Sequence, residues 1–266
     1  MRQSTSDPLA GASPRPFLVI LAAVAGLAGL FTFAPEAGAA ALSVNPTKIR
    51  LSARAPTALL TVKNDGDSPL RVQLTVQAWS QQLGGEMQLE PTTDIVFFPS
   101  LLALGPGQAR TIRIGTTAPF AATERSYRIF VEELPPPRTG DEVAGGVRMY
   151  TRLGIPIFLQ PERPKAEPVL AGVELGNGAL SFRIENAGTM HFVPESVEVK
   201  GLGADGSVAF TRRLQAWYVL SGGARRFTVP FEAADCNHLR SLAIEVRVGD
   251  AVLKEHRATP QGTCGH

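Results

Sequence analysis

The stretch Val147-Arg-Met-Tyr-Thr-Arg-Leu-Gly-Ile-Pro-Ile-Phe-Leu-Gln-Pro161 carries an apolar residue at almost every odd position. Val147, Met149, Leu153, Ile155, Ile157 and Leu159 fall on one side of an extended chain, with Thr151 the mild exception; Arg148, Tyr150, Arg152, Gly154, Pro156, Phe158 and Gln160 fall on the other. Successive side chains of a strand point to opposite faces, so this period of two predicts a strand with one face that needs covering. The run is longer than the usual strand of about 5 to 6 residues. Pro156 has no N–H to give to a neighbour, which places this part of the strand at a sheet edge. Proteins normally blunt a long apolar edge because it pairs with other chains. One that is kept is suited to pairing with a partner.

Working back toward the N-terminus, short alternating runs separated by turn residues fill the chain. Strands are expected over residues 42–54, with a break at Pro46, and over 57–64, 70–79, 95–104, 109–115 and 125–134. Between them lie the turn clusters Asn64-Asp-Gly-Asp-Ser-Pro69, Gly84-Gly85, Gly105-Pro-Gly107 and Pro135-Pro-Pro137. With the 147–161 run these make seven strands, the spacing of an immunoglobulin-like β-sandwich. After a polar, Pro-containing connector at 162–168, a second all-β series begins. In Leu175-Gly-Asn-Gly-Ala179 the Asn-Gly pair accepts the positive φ of a tight hairpin. Further strands are expected over 180–184, 196–200, 208–214, 226–231, 242–248 and 251–256. The fold class is therefore all-β: residues 40–161 form one sandwich domain, 162–168 a linker and 169–266 a second sandwich.

Residues 1–39 read as a secretory signal peptide. Arg2 and Arg15 precede an apolar run from Phe17 to Phe33, and Ala37-Gly38-Ala39 offers a small-residue cleavage site. The run is slightly long for a signal core and slightly short for a span of about 20 residues, so an uncleaved anchor also fits; either reading exports the remainder. The two cysteines, Cys236 and Cys264, sit near the C-terminus. In an oxidising compartment they are expected to pair, tying down the tail, with two free thiols as the alternative.

The formal net charge is +2 and charged residues make up 19% of the chain, with no concentrated basic block of the kind that binds nucleic acid. Gly201-Leu-Gly-Ala-Asp-Gly206 matches the dinucleotide fingerprint in letters, but a strand-like Ser207-Val-Ala-Phe-Thr211 follows it where a helix N-terminus is required, so a hairpin turn is expected. No nucleophile elbow, zinc spacing, calcium loop or P-loop is present. His191, His238, His256 and His266 are scattered without a ligand spacing and read as surface or satisfied structural residues. We expect no cofactor, no metal and no enzymatic activity. In Leu42-Ser-Val-Asn-Pro-Thr-Lys-Ile-Arg-Leu51, Lys48 and Arg50 share one side of the chain. A cation partly inside a sandwich is costly unless it meets an anion; a solvated side chain on an edge strand fits the same residues.

Seven motifs, taken in order, carry a resemblance: Ser43-Val-Asn-Pro-Thr-Lys48, Val62-Lys-Asn64, Val76-Gln-Ala-Trp79, Phe98-Pro-Ser-Leu-Leu-Ala-Leu104, Thr111-Ile-Arg-Ile114, Tyr127-Arg-Ile-Phe-Val-Glu-Glu-Leu-Pro135 and Ile155-Pro-Ile-Phe-Leu-Gln-Pro161. Together they resemble the periplasmic pilus-assembly chaperones, well over residues 42–161 and loosely beyond. The resemblance implies an L-shaped pair of immunoglobulin-like domains that binds fimbrial subunits by donor-strand complementation and delivers them to an outer-membrane usher. It puts Val147, Met149, Thr151 and Leu153 at the donor positions. It puts Lys48 where the family holds the subunit's terminal carboxylate. The family's second cleft lysine aligns with Pro156, a departure that weakens the anchor or leaves it to another residue such as Arg152. The expected partners are pilin-like fibre subunits and an usher, with no nucleic acid and no stable membrane insertion after signal cleavage. The alternative is an exported two-domain structural or adhesion module with no client.

Overall fold

The computed structural model describes residues 42–82, 84–135, 149–176, 178–232 and 239–259. The signal and cleavage site expected over residues 1–39, Val147 and both cysteines lie outside them. The first sandwich is built from β1 (Leu42–Asn45), β2 (Ile49–Leu51), β3 (Thr57–Asn64), β4 (Leu70–Gln81), β5 (Met87–Pro91), β6 (Ile95–Phe98), β7 (Leu101–Leu104), β8 (Ala109–Thr116), β9 (Arg125–Leu134) and β10 (Arg152–Leu159). One sheet runs β1-β3-β8-β6; the other runs β2-β10-β9-β4-β5, with β7 beside β4. The alternation explains the layering. Leu60 and Val62, Ile112 and Ile114, Val72 and Leu74, Ile129 and Val131, Ile155 and Ile157 all face one shared core.

Two prolines decide where the chain changes sheets. β1 and β2, either side of Pro46, belong to different sheets, so the run expected over 42–54 with a break at Pro46 divides between them. The run expected over 95–104 splits in the same way at Pro99, into β6 and β7. β5 was not expected. Met87, Gln88, Glu90 and Pro91 are exposed, so a strand wet on both faces lacks the alternation that would reveal it.

The expected strand over 147–161 is shorter than its pattern. β10 pairs with β9 from Arg152 opposite Glu132 to Leu159 opposite Arg125, and the ladder closes with Glu133 N–H donating to the Thr151 carbonyl at 2.9 Å. β9 then runs into Pro135, which cannot donate to a ladder, so Met149 and Tyr150 leave the sheet.

The second sandwich holds β11 (Pro168–Gly176), β12 (Ala179–Asn186), β13 (Ser196–Leu202), β14 (Val208–Arg213), β15 (Ala224–Pro230), β16 (Ser241–Val248) and β17 (Ala251–Ala258). Its sheets run β11-β12-β15 and β14-β13-β16-β17, over a core that includes Leu180, Phe182, Ile184, Val199, Leu242, Ile244 and Val246. The Gly201–Gly206 motif is a hairpin turn between β13 and β14, with Gly206 at φ +79° and Gly203 N–H donating to the Ser207 carbonyl. Each sandwich locks one turn with a buried asparagine. Asn64 donates to the carbonyls of Ser68, Leu104 and Gly105, and Asn186 to those of Met190 and Val219; each side-chain oxygen accepts the N–H two residues on.

Candidate functional site

The seam between the sandwiches is apolar and polar in alternation. Trp79 of β4 and Phe158 of β10, both buried, pack on Leu220 and the half-buried Tyr218 of the second sandwich. The Gln81 amide clamps the same segment from both sides, Nε2 donating to the Tyr218 carbonyl at 2.7 Å and Oε1 accepting from Leu220 N–H at 2.9 Å. Beside them Glu124, whose side chain is fully buried, accepts from the His191 backbone N–H at 3.0 Å and meets His191 Nδ1 at 2.6 Å. With Glu124 as a carboxylate, which only accepts, Nδ1 carries the proton. The imidazole stacks on Phe158, centroids 3.6 Å apart and planes 16° from parallel. His191 is thus a satisfied structural residue. His256 is exposed.

The strand registers bring the basic residues into one row. Ile49 pairs with Ile157 in parallel register, so Lys48, one residue earlier, is level with Pro156. Pro156 is in turn opposite Arg128, and Arg128 opposite Gln77. Since Thr151 and Glu133 are a hydrogen-bonded pair, the pairs alternate so that Pro156 and Arg128 are a non-hydrogen-bonded pair, where side chains stand closest. The proline's missing N–H therefore points away from β9, and the ladder tolerates it. On that side β2 reaches only Ile157 to Leu159. Residues 152–156 are a free edge among the described residues.

Lys48 is half-buried, its Nζ 5.5 Å from the centre of the Tyr218 ring. Burial, then the neighbouring Arg50, pull its pKa below the ordinary 10.5, with Glu124 opposing. Arg128 is 9% exposed. Its guanidinium carbon sits 4.5 Å from the Trp79 ring centre and 5.5 Å from that of Trp217, one ring from each sandwich. Its Nε is buried and has no hydrogen-bond partner among the described residues. Burial lowers its pKa too, offset in part by Tyr218.

Arg152 does not join this group. Its guanidinium lies 4.1 Å from the Phe130 ring centre and 3.6 Å from Glu132, both on the strand opposite, so it is already occupied. Along the donor positions exposure is graded: Leu153 packs half-buried against the chain's own core, Thr151 is half-buried, and Met149 is 89% exposed. The structure thus brings Lys48 and the Leu153 end of the apolar row to the same strand edge. The residues missed in the sequence are Arg128, Trp79, Trp217 and Tyr218. The signal that could have found Arg128 is its outward parity in Tyr127-Arg-Ile-Phe130, combined with the β9–β10 register.

Residues 41–165 match the family model described as pili and flagellar-assembly chaperone, PapD N-terminal domain. The chaperone protein FimB/FhaD of Bordetella pertussis is 28% identical over 200 residues, covering 70% of this chain and 78% of that one. Among solved structures, a chain of the CsuC–CsuE chaperone–tip adhesion subunit complex from the archaic Csu pili of Acinetobacter baumannii superposes with a TM-score of 0.57 at 18% identity, covering 82% of this chain and 98% of its own. The CupB2 chaperone of Pseudomonas aeruginosa does so with a TM-score of 0.51, also at 18% identity, covering 82% and 100%. With a family model on the first sandwich, a chaperone relative over 70% of the chain and a matching fold over both sandwiches, residues 41–165 belong to the pilus-assembly chaperone family and the rest of the described chain is similar to its members.

Proposed function

We propose that the chain caps an incomplete fibre subunit by strand addition along the free edge of β10 and the residues just before it, then passes the subunit to an outer-membrane usher. Val147, Met149, Thr151 and Leu153 are the donated side chains, and Lys48 holds the subunit's terminal carboxylate. The role is exported and non-enzymatic, performed by backbone pairing and side-chain burial, with no cofactor. Similarity to a chain from a chaperone–tip subunit complex supports this choice of client class.

The observation that carries the reading is the edge itself. An apolar row that starts half-buried at Leu153 and ends at an 89% exposed Met149 leads away from a strand whose side opposite β9 has no neighbour over 152–156 among the described residues. A cation that forms no ion pair among the described residues stands at its inner end. A second strand would cover the row, and that strand's terminal carboxylate would meet Lys48 with a charge-assisted hydrogen bond. Co-production with a fibre subunit in the bacterial periplasm tests it. The expected result is a soluble one-to-one complex that is lost with Lys48→Ala; a chain that accumulates normally and never retains a subunit would instead support a structural or adhesion module.

A further inference from the structure

We propose that Met149 is a site of reversible oxidation: a peroxide converts its thioether to the sulfoxide in the free chain, the oxidised chain holds a fibre subunit less tightly, and a bound subunit shields the sulfur. The inference rests on the strand-addition reading above and adds a control on it.

Three methionines lie among the described residues, and they differ in how far an oxidant can reach them. Met149 is 89% exposed, Met87 on β5 is 43% exposed and Met190 is half-buried. Met149 also stands outside the chain's own packing. β10 starts at Arg152, the last bond of its ladder with β9 reaches only the Thr151 carbonyl, and Met149 belongs to neither sandwich core. An oxygen added there leaves both cores as they are, so the chain keeps its fold and loses only what the side chain does for a partner.

The chemistry is a two-electron transfer. The sulfur lone pair takes an oxygen atom from hydrogen peroxide as the O–O bond breaks; the thioether is oxidised to the sulfoxide and the peroxide is reduced to water. A flexible apolar side chain thereby becomes a polar one. Among Met149, Thr151 and Leu153, the described residues of the donor row, only Met149 carries sulfur. In a partner's apolar groove the new S–O acceptor meets no donor, and a buried polar group without a hydrogen bond is costly. The groove that resists the sulfoxide also covers the thioether, so a loaded chain is protected where a free one is not. A methionine sulfoxide reductase returns the thioether and water while two thiols are oxidised to a disulfide, which makes the change reversible.

The experiment treats the mature chain with hydrogen peroxide, follows oxygen uptake at each methionine by peptide mass spectrometry, and titrates the treated chain with the fibre subunit used for co-production. Met149 is expected to oxidise several-fold faster than Met87 and Met190. Its oxidation should weaken subunit binding about tenfold, the effect of one unsatisfied buried polar group, and sulfoxide reductase should restore the binding. Met149→Leu separates this sulfur from every other oxidisable group: whatever its affinity before treatment, peroxide should leave that affinity unchanged. A subunit already bound should slow oxidation at Met149 and not at Met87. Undiminished binding once Met149 is fully oxidised, an equal loss in peroxide-treated Met149→Leu, or oxidation of Met149 in the complex at the free rate overturns the inference, while strand addition through the other residues stands. A chain that retains no subunit before any treatment overturns the strand-addition reading, and this inference with it.

Discussion

Replacing Met149 with serine separates what the edge does for the chain from what it does for a partner. Met149 is 89% exposed and lies outside β10, so the isolated chain draws no burial energy from it. Its loss should fall within the roughly 0.5 kcal/mol typical of surface substitutions, a melting shift of about 2 °C or less for a chain of this size. In a complex its side chain would enter the partner's groove, where full burial of a methionine contributes about 1.5 to 3 kcal/mol. The dissociation constant should therefore rise roughly 10- to 100-fold. Leu153→Ser is the contrast: Leu153 packs against the chain's own core, so that change should lower both the melting temperature and the affinity. Tyr150→Ser, on the opposite face, should do little to either. Thermal melts beside subunit titrations of the three variants decide the matter. Normal affinity in Met149→Ser, or a melting temperature lowered by many degrees, would show that Met149 is not a donated side chain.

Lys48 makes a pH prediction. Its pKa is lowered by burial, so the cost of keeping it charged is fully present below that lowered value and is relieved as pH rises toward 10.5. Lys48→Met should melt higher than the wild type at pH 7, by a margin that narrows toward pH 10.5, while carboxylate affinity of the wild type falls over the same range; a lower melting temperature at pH 7 would contradict this. His191→Ala removes the ring that hydrogen-bonds the buried Glu124, and leaving a buried polar group without its partner costs roughly 1 to 3 kcal/mol. A chemical denaturation midpoint unchanged by His191→Ala would show that the pair does not hold the seam.

The sandwich was legible because alternation is a local property. Residues 70–74 and 180–184 announce their buried face at every second position, and the strands are where the pattern puts them. The prolines were visible too, but their consequence was not: that Pro46 and Pro99 carry the chain from one sheet to the other depends on which strand each half meets. The length of β10 was over-read for a related reason, since its pattern continues past the point where β9 stops offering ladder partners. At the site, the apolar row came from alternation, and its donor role and that of Lys48 from motif order. Arg128 could not, because its relation to Pro156 is a register across two strands and its flanking rings come from residues 79 and 217. A seam between Glu124 and His191 has no sequence signature at all.

A partner strand that pairs with the open side of β10 would protect specific amides, and hydrogen exchange measures that directly. Thr151 and the alternate residues after it bond to β9, which leaves the N–H groups of Arg152 and Gly154 pointing to the free edge. In the free chain these two amides should exchange quickly while those of Leu153 and Ile155 exchange slowly, and on adding a fibre subunit the Arg152 and Gly154 amides should become protected as well. Subunit binding that leaves Arg152 and Gly154 exchanging as in the free chain would contradict strand addition at this edge.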